Sequence, residues 1–529
     1  MNKEQLSVAV GEIRDDFVAE AAPKTRAARF PMKKILTSAA VLFLAVAAAF
    51  AIRAINGSVG NVRPTEPNEG TTAVEEMTAP SMQNAPEQTE APLTQAPNNA
   101  APQPSFLSFA KVAADLPEYK NADEFHYKKE TILGFTREDY ADLSFTFFEN
   151  YANELLLGNG VSNTVTSPLN AFFSLAVLAK LTDGASRDEI LNALDVESME
   201  ELEKTARALW LANYYNDTNN RNLNRKLIFS NSLWVNENND FTLSDDLKSS
   251  LKDAYFASLF KGDPNDQQFR EAYKAWLSIT TDGLLDEQLS GVTLPEDLLL
   301  QLESTLLCRL TWSSPFSEAD TAPGLFRGQT QDATVSFMHK EGADPNAYYF
   351  TADGYTVFGM PTTQADAVFI FLLPDEGVSL ESVLRNGALA KLFQCVKNEE
   401  NLRPTPEADK VYLYNVAVPK FDLSSDFNMK AAFEALGITS VLSPETADFT
   451  PLAGKNSGLY LNSSDQNVRL QIDENGISAA SRLGDGFGFG DPEIVYLDFK
   501  VDRPFAFALL THDGVPLFTG TVTDLPNEE

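Results

Sequence analysis

Basic residues are scarce in this chain. Its 529 residues hold 41 Lys and Arg against 75 Asp and Glu, a formal net charge of -34. Such a surface repels nucleic acid and anionic lipid, so no nucleic-acid partner and no polyanion cofactor are expected. Cysteine is scarcer still. Cys308 and Cys395 each sit inside an apolar run ("STLLCRL", "KLFQCVK"), and no CxxC pair suggests zinc or redox work. The fold must rest on its core and not on a disulfide framework. The three histidines, His126, His339 and His512, fall in no catalytic signature, and GxSxG, HExxH and Walker sequences are all missing. "GDGFGFGD" has no helix signal after it and occurs once, which excludes a dinucleotide loop and a calcium-binding repeat. The chain offers no catalytic residues, no metal ligands and no cofactor site, and enzyme chemistry has nothing to stand on.

What is present begins with an apolar run. "ILTSAAVLFLAVAAAFAI", residues 35–52, is uncharged and as a helix would span roughly 27 Å, close to a bilayer's hydrocarbon core. Lys24, Arg26, Arg29, Lys33 and Lys34 precede it, so the positive-inside rule puts residues 1–34 in the cytoplasm as a tail. A cleaved signal peptide with secretion is the alternative, given the small residues at 47–51, but the preceding segment is long for one. The leader also resembles those of membrane-anchored proteins from Gram-positive gut bacteria, and no lipobox cysteine follows. Residues 53–105, rich in Pro, Thr, Gln, Asn and Glu, cannot bury enough surface to fold and read as an extended spacer. The expectation is a single-pass membrane protein whose residues 106–529 form one extracellular domain, monomeric.

That domain reads as α+β. "LSFTFFENYANELL" and "NAFFSLAVLAKL" carry helical spacing in the first half. "AVFIFLLP", "VYLYNVAVPKF" and "IVYLDFKV" read as strands in the second, implying mostly antiparallel sheets. Near the C-terminus, "DENGISAASRLGDGFGFGDPEIV" runs from acidic to small to Gly-rich before an apolar strand, an exposed and adaptable ribbon.

The order of motifs from Leu143 to Pro526 resembles the serpin family. "NTVTSPLNAFFSLAVLAKLTDGAS", "FSNSLWV", "AWLSITTDGLL", "LLCRLTWSSPF", "VSFMHKEG", "AVFIFLLP", "AVPKFDL", "ALGITSVLSPETADFTPL", "IDENGISAAS" and "FKVDRPFAFALLTHDGVPLFTGTV" follow one another in family order. The resemblance implies the serpin fold, with large sheets and an exposed reactive loop near the C-terminus. It also implies a suicide-substrate inhibitor: a protease cuts the loop, which inserts as a new strand and carries the acylated enzyme with it. The partner is then a serine protease or a papain-like cysteine protease. A non-inhibitory surface binding or adhesion module on the same fold is the alternative.

By the same resemblance Glu474, Gly476, Ile477, Ala479, Ala480 and Ser481 form the hinge, with Ile477, Ala479, Ser481, Leu483 and Asp485 facing inward on insertion. The scissile bond falls in a window holding Phe487, Gly488, Phe489, Gly490 and Asp491. Asn170, Ser304 and Gln466 occupy the region where the sheet parts, and Trp312 packs where the loop enters. Asn170 and Ser304 look like an exchange of two groups that keeps one hydrogen bond, whereas Gln466 replaces a ring with an amide. Asp485 is the difficult inward residue, because an unpaired buried carboxylate costs several kcal/mol or takes up a proton.

Overall fold

The computed structural model describes residues 145–528 except 159, 217–225, 287–293, 344–346, 363–366, 396–409, 456, 478–492 and 512. The apolar run at 35–52 and the spacer lie outside these. Among the described residues no helix is long and apolar enough to cross a membrane.

Helices α1 (Phe145–Leu157), α2 (Pro168–Leu181), α3 (Gly184–Ala193) and α4 (Met199–Asn213) come first, with α5 (Asp245–Asp253) and α6 (Gln267–Thr280) after them. Helix α2 starts cleanly. Ser167 accepts a hydrogen bond from the Asn170 backbone amide at 3.2 Å, and Pro168 occupies the first turn, where its missing N–H costs nothing. Its sequence is apolar nearly all round, and the helix is accordingly buried on nearly all sides.

Three larger sheets and one two-stranded pair follow among the described residues. One is six-stranded, in the order β1 (Thr164–Thr166), β17 (Pro516–Val522), β16 (Phe505–Thr511), β10 (Ala367–Pro374), β9 (Tyr355–Pro361), β8 (Tyr348–Ala352). Every residue of β10, β16 and β17 is buried, which explains why these strands lack polar alternation. A four-stranded sheet runs β15 (Glu493–Lys500), β11 (Lys410–Pro419), β7 (Asp332–Ala343), β6 (Thr321–Arg327). Among the described residues only β15 on β11, and β4 (Ala257–Gly262) on β3 (Lys226–Asn236), pair in parallel.

The third sheet positions the site. It orders β14 (Gly476–Ile477), β5 (Leu300–Thr311), β3 (Lys226–Asn236) and β2 (Tyr215–Asn216), with β4 (Ala257–Gly262) also on β3. Beside it, β12 (Phe421–Asn428) and β13 (Asp465–Ile472) form a separate antiparallel pair. Among the described residues no ladder joins β5 to β13, and the line between them is a seam. On β5, Cys308 and Leu310 face the main core over α2, and Glu303 faces the opposite side, where it meets the Tyr273 hydroxyl of α6.

Helix α6 lies over that outer side. Phe269, Tyr273 and Leu277, one turn apart, pack with Trp234 and Phe260 of β3 and β4 in a second, smaller core. Its exit is pinned. Asp282, at φ 55°, puts Oδ2 2.8 Å from Lys226 Nζ and 2.9 Å from Arg309 Nη1. The next turn touches the other side of the seam, where Arg469 of β13 donates to the Leu284 carbonyl at 3.3 Å.

Candidate functional site: the seam and its entrance

The entrance is a tight hairpin between β13 and β14. Asp473 and Gly476 exchange backbone hydrogen bonds at 3.1 and 3.2 Å. The Asp473 carboxylate accepts from the Asn475 amide at 2.8 Å. Gly476 sits at φ 131°, and a Cβ there would lie 2.7 Å from the Leu310 carbonyl oxygen, the Thr311 Cα and the Trp312 nitrogen. Only glycine fits this approach. Chain direction then carries Gly476 and Ile477 onto β5, antiparallel, opposite Thr311 and Leu310.

Two side chains hold the hairpin from either side. Trp312, fully buried, donates its indole N–H to the Asp473 carbonyl at 2.9 Å and meets Phe369 edge-on at 5.9 Å. Glu474, 5 % exposed, accepts from Thr321 Oγ1 at 2.8 Å and has Lys420 Nζ 3.0 Å from its second oxygen. Burial pushes the Glu474 carboxyl up. Backbone, Thr321 and Lys420 donors outweigh it and hold the group below its usual range. Thr321 and Lys420 were not among the residues expected from sequence. They lie 153 and 54 positions from Glu474, and neither residue type stands out locally.

Farther along, Ser304 and Gln466 occupy the two walls. Ser304 Oγ lies 3.0 Å from Asn170 Oδ1 and 2.7 Å from Asn231 Oδ1, its one proton shared between the two carbonyls. Asn170 returns a bond from Nδ2 to the Ser304 carbonyl at 3.3 Å. Asn231 is also missing from the expected set, although a polar residue in the apolar run "FSNSLWV" is a signal that could have found it. Gln466 turns away to the start of α2: Oε1 accepts from Thr166 Oγ1 at 2.6 Å and the Ser167 amide at 3.1 Å, while Nε2 donates to the Ser167 carbonyl at 3.0 Å. The structure thus joins Asn170 to Ser304 and leaves Gln466 on its own side, with no hydrogen bond between Gln466 and Ser304. Ser304 and Gln466 each find their partners on their own wall.

Of the remaining expected residues, the Ile477 backbone belongs to β14. Ala479, Ala480, Ser481, Leu483, Asp485, Phe487, Gly488, Phe489, Gly490 and Asp491 lie outside the described residues. Cys308 is buried, and burial pushes its thiol far up, which leaves it inert. Among the described residues no cluster could hold a metal ion.

The hairpin thus starts a two-residue strand against β5, beside a line that no ladder crosses among the described residues. The chain belongs to the serpin family: residues 139–525 match the family model described as "Serpin (serine protease inhibitor)". Similar relatives include Serpin-ZX of Arabidopsis thaliana, 26% identical over 380 residues, covering 69% of this chain and 92% of that one. The serine protease inhibitor of Cyanea capillata is 23% identical over 375 residues, covering 70% and 93%. Among solved structures, the thermophilic serpin tengpin in its native state superposes with a TM-score of 0.61 at 24% identity, over 73% of this chain and 95% of that one. At that identity the likeness is one of fold. The expected α+β serpin fold is the fold observed.

Proposed function

We propose that this chain is a membrane-tethered, outward-facing serpin that traps an extracellular protease by loop cleavage and insertion. The observation that carries the reading is the pairing of Gly476 and Ile477 with β5 beside an unladdered seam. On insertion, the β5 register extended residue by residue would set Ala479 against Cys308, Ser481 against Leu306, Leu483 against Ser304 and Asp485 against Leu302. Facing alternates with period two, so the odd-numbered positions share the inner side with Cys308 and Leu310. These are the residues expected to face inward. Leu483 cannot hydrogen-bond, and it would arrive beside Ser304 and Gln466, both already satisfied without it.

The window from Phe487 to Asp491 offers only Phe487 and Phe489 as large side chains, which suits chymotrypsin-like enzymes cutting after Phe489 or papain-like ones cutting after Gly490. Arg482 lies too near the hinge to leave a strand long enough for a trypsin-like target. Incubation with a protease panel, followed by denaturing gels and sequencing of the released fragment, tests this. A covalent complex with a new N-terminus at Gly490 or Asp491 is expected. Stable trapping of a trypsin-like enzyme with a new N-terminus at Leu483 overturns it.

The topology belongs to the same proposal. Protease added to intact cells should release the domain within residues 53–105; a domain resistant until lysis rules it out. The second reading, a non-inhibitory surface module, is favoured by Asp485 alone among the inward residues, because it sends a carboxylate between strands.

A further inference from the structure

At the end of the seam away from Trp312 lies a cavity of about 280 Å³. Helix α2 explains why it opens there. Asn170, Ser174 and Leu178 stand four residues apart and form one row on the helix. At Asn170 the helix closes on β5 through the Ser304 hydroxyl, 3.0 Å away. One turn later the row offers Ser174, whose short side chain cannot fill the space it lines with Leu300 and Leu302 of β5. Leu459, in the segment leading into β13, and Phe433, in the helix Lys430–Ala435, also line it.

Three properties of the lining define what it would take. The first is a lone polar handle. Of the 14 residues of α2 only Ser174 and Lys180 are not buried, and Lys180 is held by Glu203 and Asp246 at 2.9 Å each. The Ser174 hydroxyl has no hydrogen-bond partner among the described residues, and it can both donate and accept. The second is charge. Asp297 is the one charged residue among those lining the cavity, and no Lys, Arg or His is with it. A carboxylate or phosphate entering there would lose water and meet no cation. The third is size. An apolar cavity of about 150 Å³ takes one benzene ring, so this one has room for about two.

We infer that the cavity binds a small uncharged molecule of two fused rings bearing one hydrogen-bonding group. Its rings lie among the leucines, where burial of apolar area holds them, and its polar group meets the Ser174 hydroxyl. Such a molecule touches α2, β5 and the approach to β13 at once, so it ties the two walls of the seam together in the intact protein. The site needs neither a protease nor a cut loop, and it stands independently of the function proposed above.

The test uses a matched pair of probes, 2-naphthol and 2-naphthoate, which share their rings and differ in charge. Each is titrated into the full chain, and hydrogen exchange read by mass spectrometry gives both the place and the affinity of binding. Residues 298–302 and 458–464 should become protected with 2-naphthol, and the melting temperature should rise with its concentration. The same protection should need at least about tenfold more 2-naphthoate. Ser174→Ala removes the hydroxyl without crowding the site and should weaken 2-naphthol about three- to tenfold. Ser174→Phe puts a ring into the space itself; it should abolish the protection while the protein melts at the same temperature or higher. Should that variant melt early, Ser174→Ala carries the test alone. Equal binding of the two probes, unchanged affinity in Ser174→Ala, or protection that survives in Ser174→Phe overturns the inference. So does protection confined to other segments, or none up to the solubility limit of 2-naphthol.

Discussion

At the Trp312 end of the seam, Glu474 is met by Thr321 and Lys420, the Trp312 indole holds Asp473, and Gly476 threads between backbone atoms with no space for a methyl group. At the Leu300 end, leucines from three elements line an unfilled volume. Hydrogen bonds are directional and cost dearly when one partner is lost, so the polar end can fix where a strand begins and in which register. Apolar burial is non-directional and grows with area, at about 25 cal/mol per Å². The apolar end can therefore reward arrival without choosing the register.

The sharpest way to break that division is to block the strand between its two ends. Ala479→Arg puts a charge opposite Cys308 and Leu470, and trapping of the protease should fall by about tenfold or more while the intact protein melts nearly unchanged. Undiminished complex formation would mean that the register is off by one. Next in size is the gain from cutting the loop. Cleavage inside the Phe487–Asp491 window should raise the melting temperature by on the order of 10 °C, and a cut protein melting like the intact one would place this chain among non-inhibitory serpins.

At the polar end, Glu474→Ala leaves Thr321 and Lys420 without their acceptor and should cost about 1–3 kcal/mol of native stability in denaturant melts. The pH dependence has a definite sign. The folded Glu474 carboxyl lies below its ordinary value of 4.5, so its contribution is complete above that pH and is lost as pH falls through the folded value. The wild-type loss on acidification should shrink in Glu474→Ala; an unchanged acid limb would take Glu474 out of the account. The smallest effect belongs to Ser304→Ala, about 1 kcal/mol, since Asn170 and Asn231 keep other bonds. A loss above about 3 kcal/mol would show that the Ser304 wall carries more than its own hydrogen bonds.

The entrance was legible through the family resemblance. Glu474 and Gly476 fall in "IDENGISAAS" and Trp312 in "LLCRLTWSSPF", short stretches that carry the family's motifs, so their placement could be anticipated. The partners of Glu474 could not, because a lysine after a proline in β11 and a threonine opening β6 look ordinary until the chain folds. Gln466 was read as a lost ring. It instead binds both backbone groups of Ser167, and backbone partners leave no mark on sequence. The cavity was illegible for a different reason: its lining comes from α2, β5 and the approach to β13, and a leucine gives no sign of whether its neighbour is another leucine or a space.

On the insertion proposed above, the turn after α6 would set its pace. Asp282 ties it to β3 and β5, and the Leu284 carbonyl receives Arg469 from across the seam. A strand entering the seam, as proposed above, would have to part that last bond or lift the turn, a cost on the passage more than on its end point. Part of the hold is ionic and partly exposed, and added salt weakens it. On the insertion proposed above, the time from cleavage to capture should therefore vary with ionic strength.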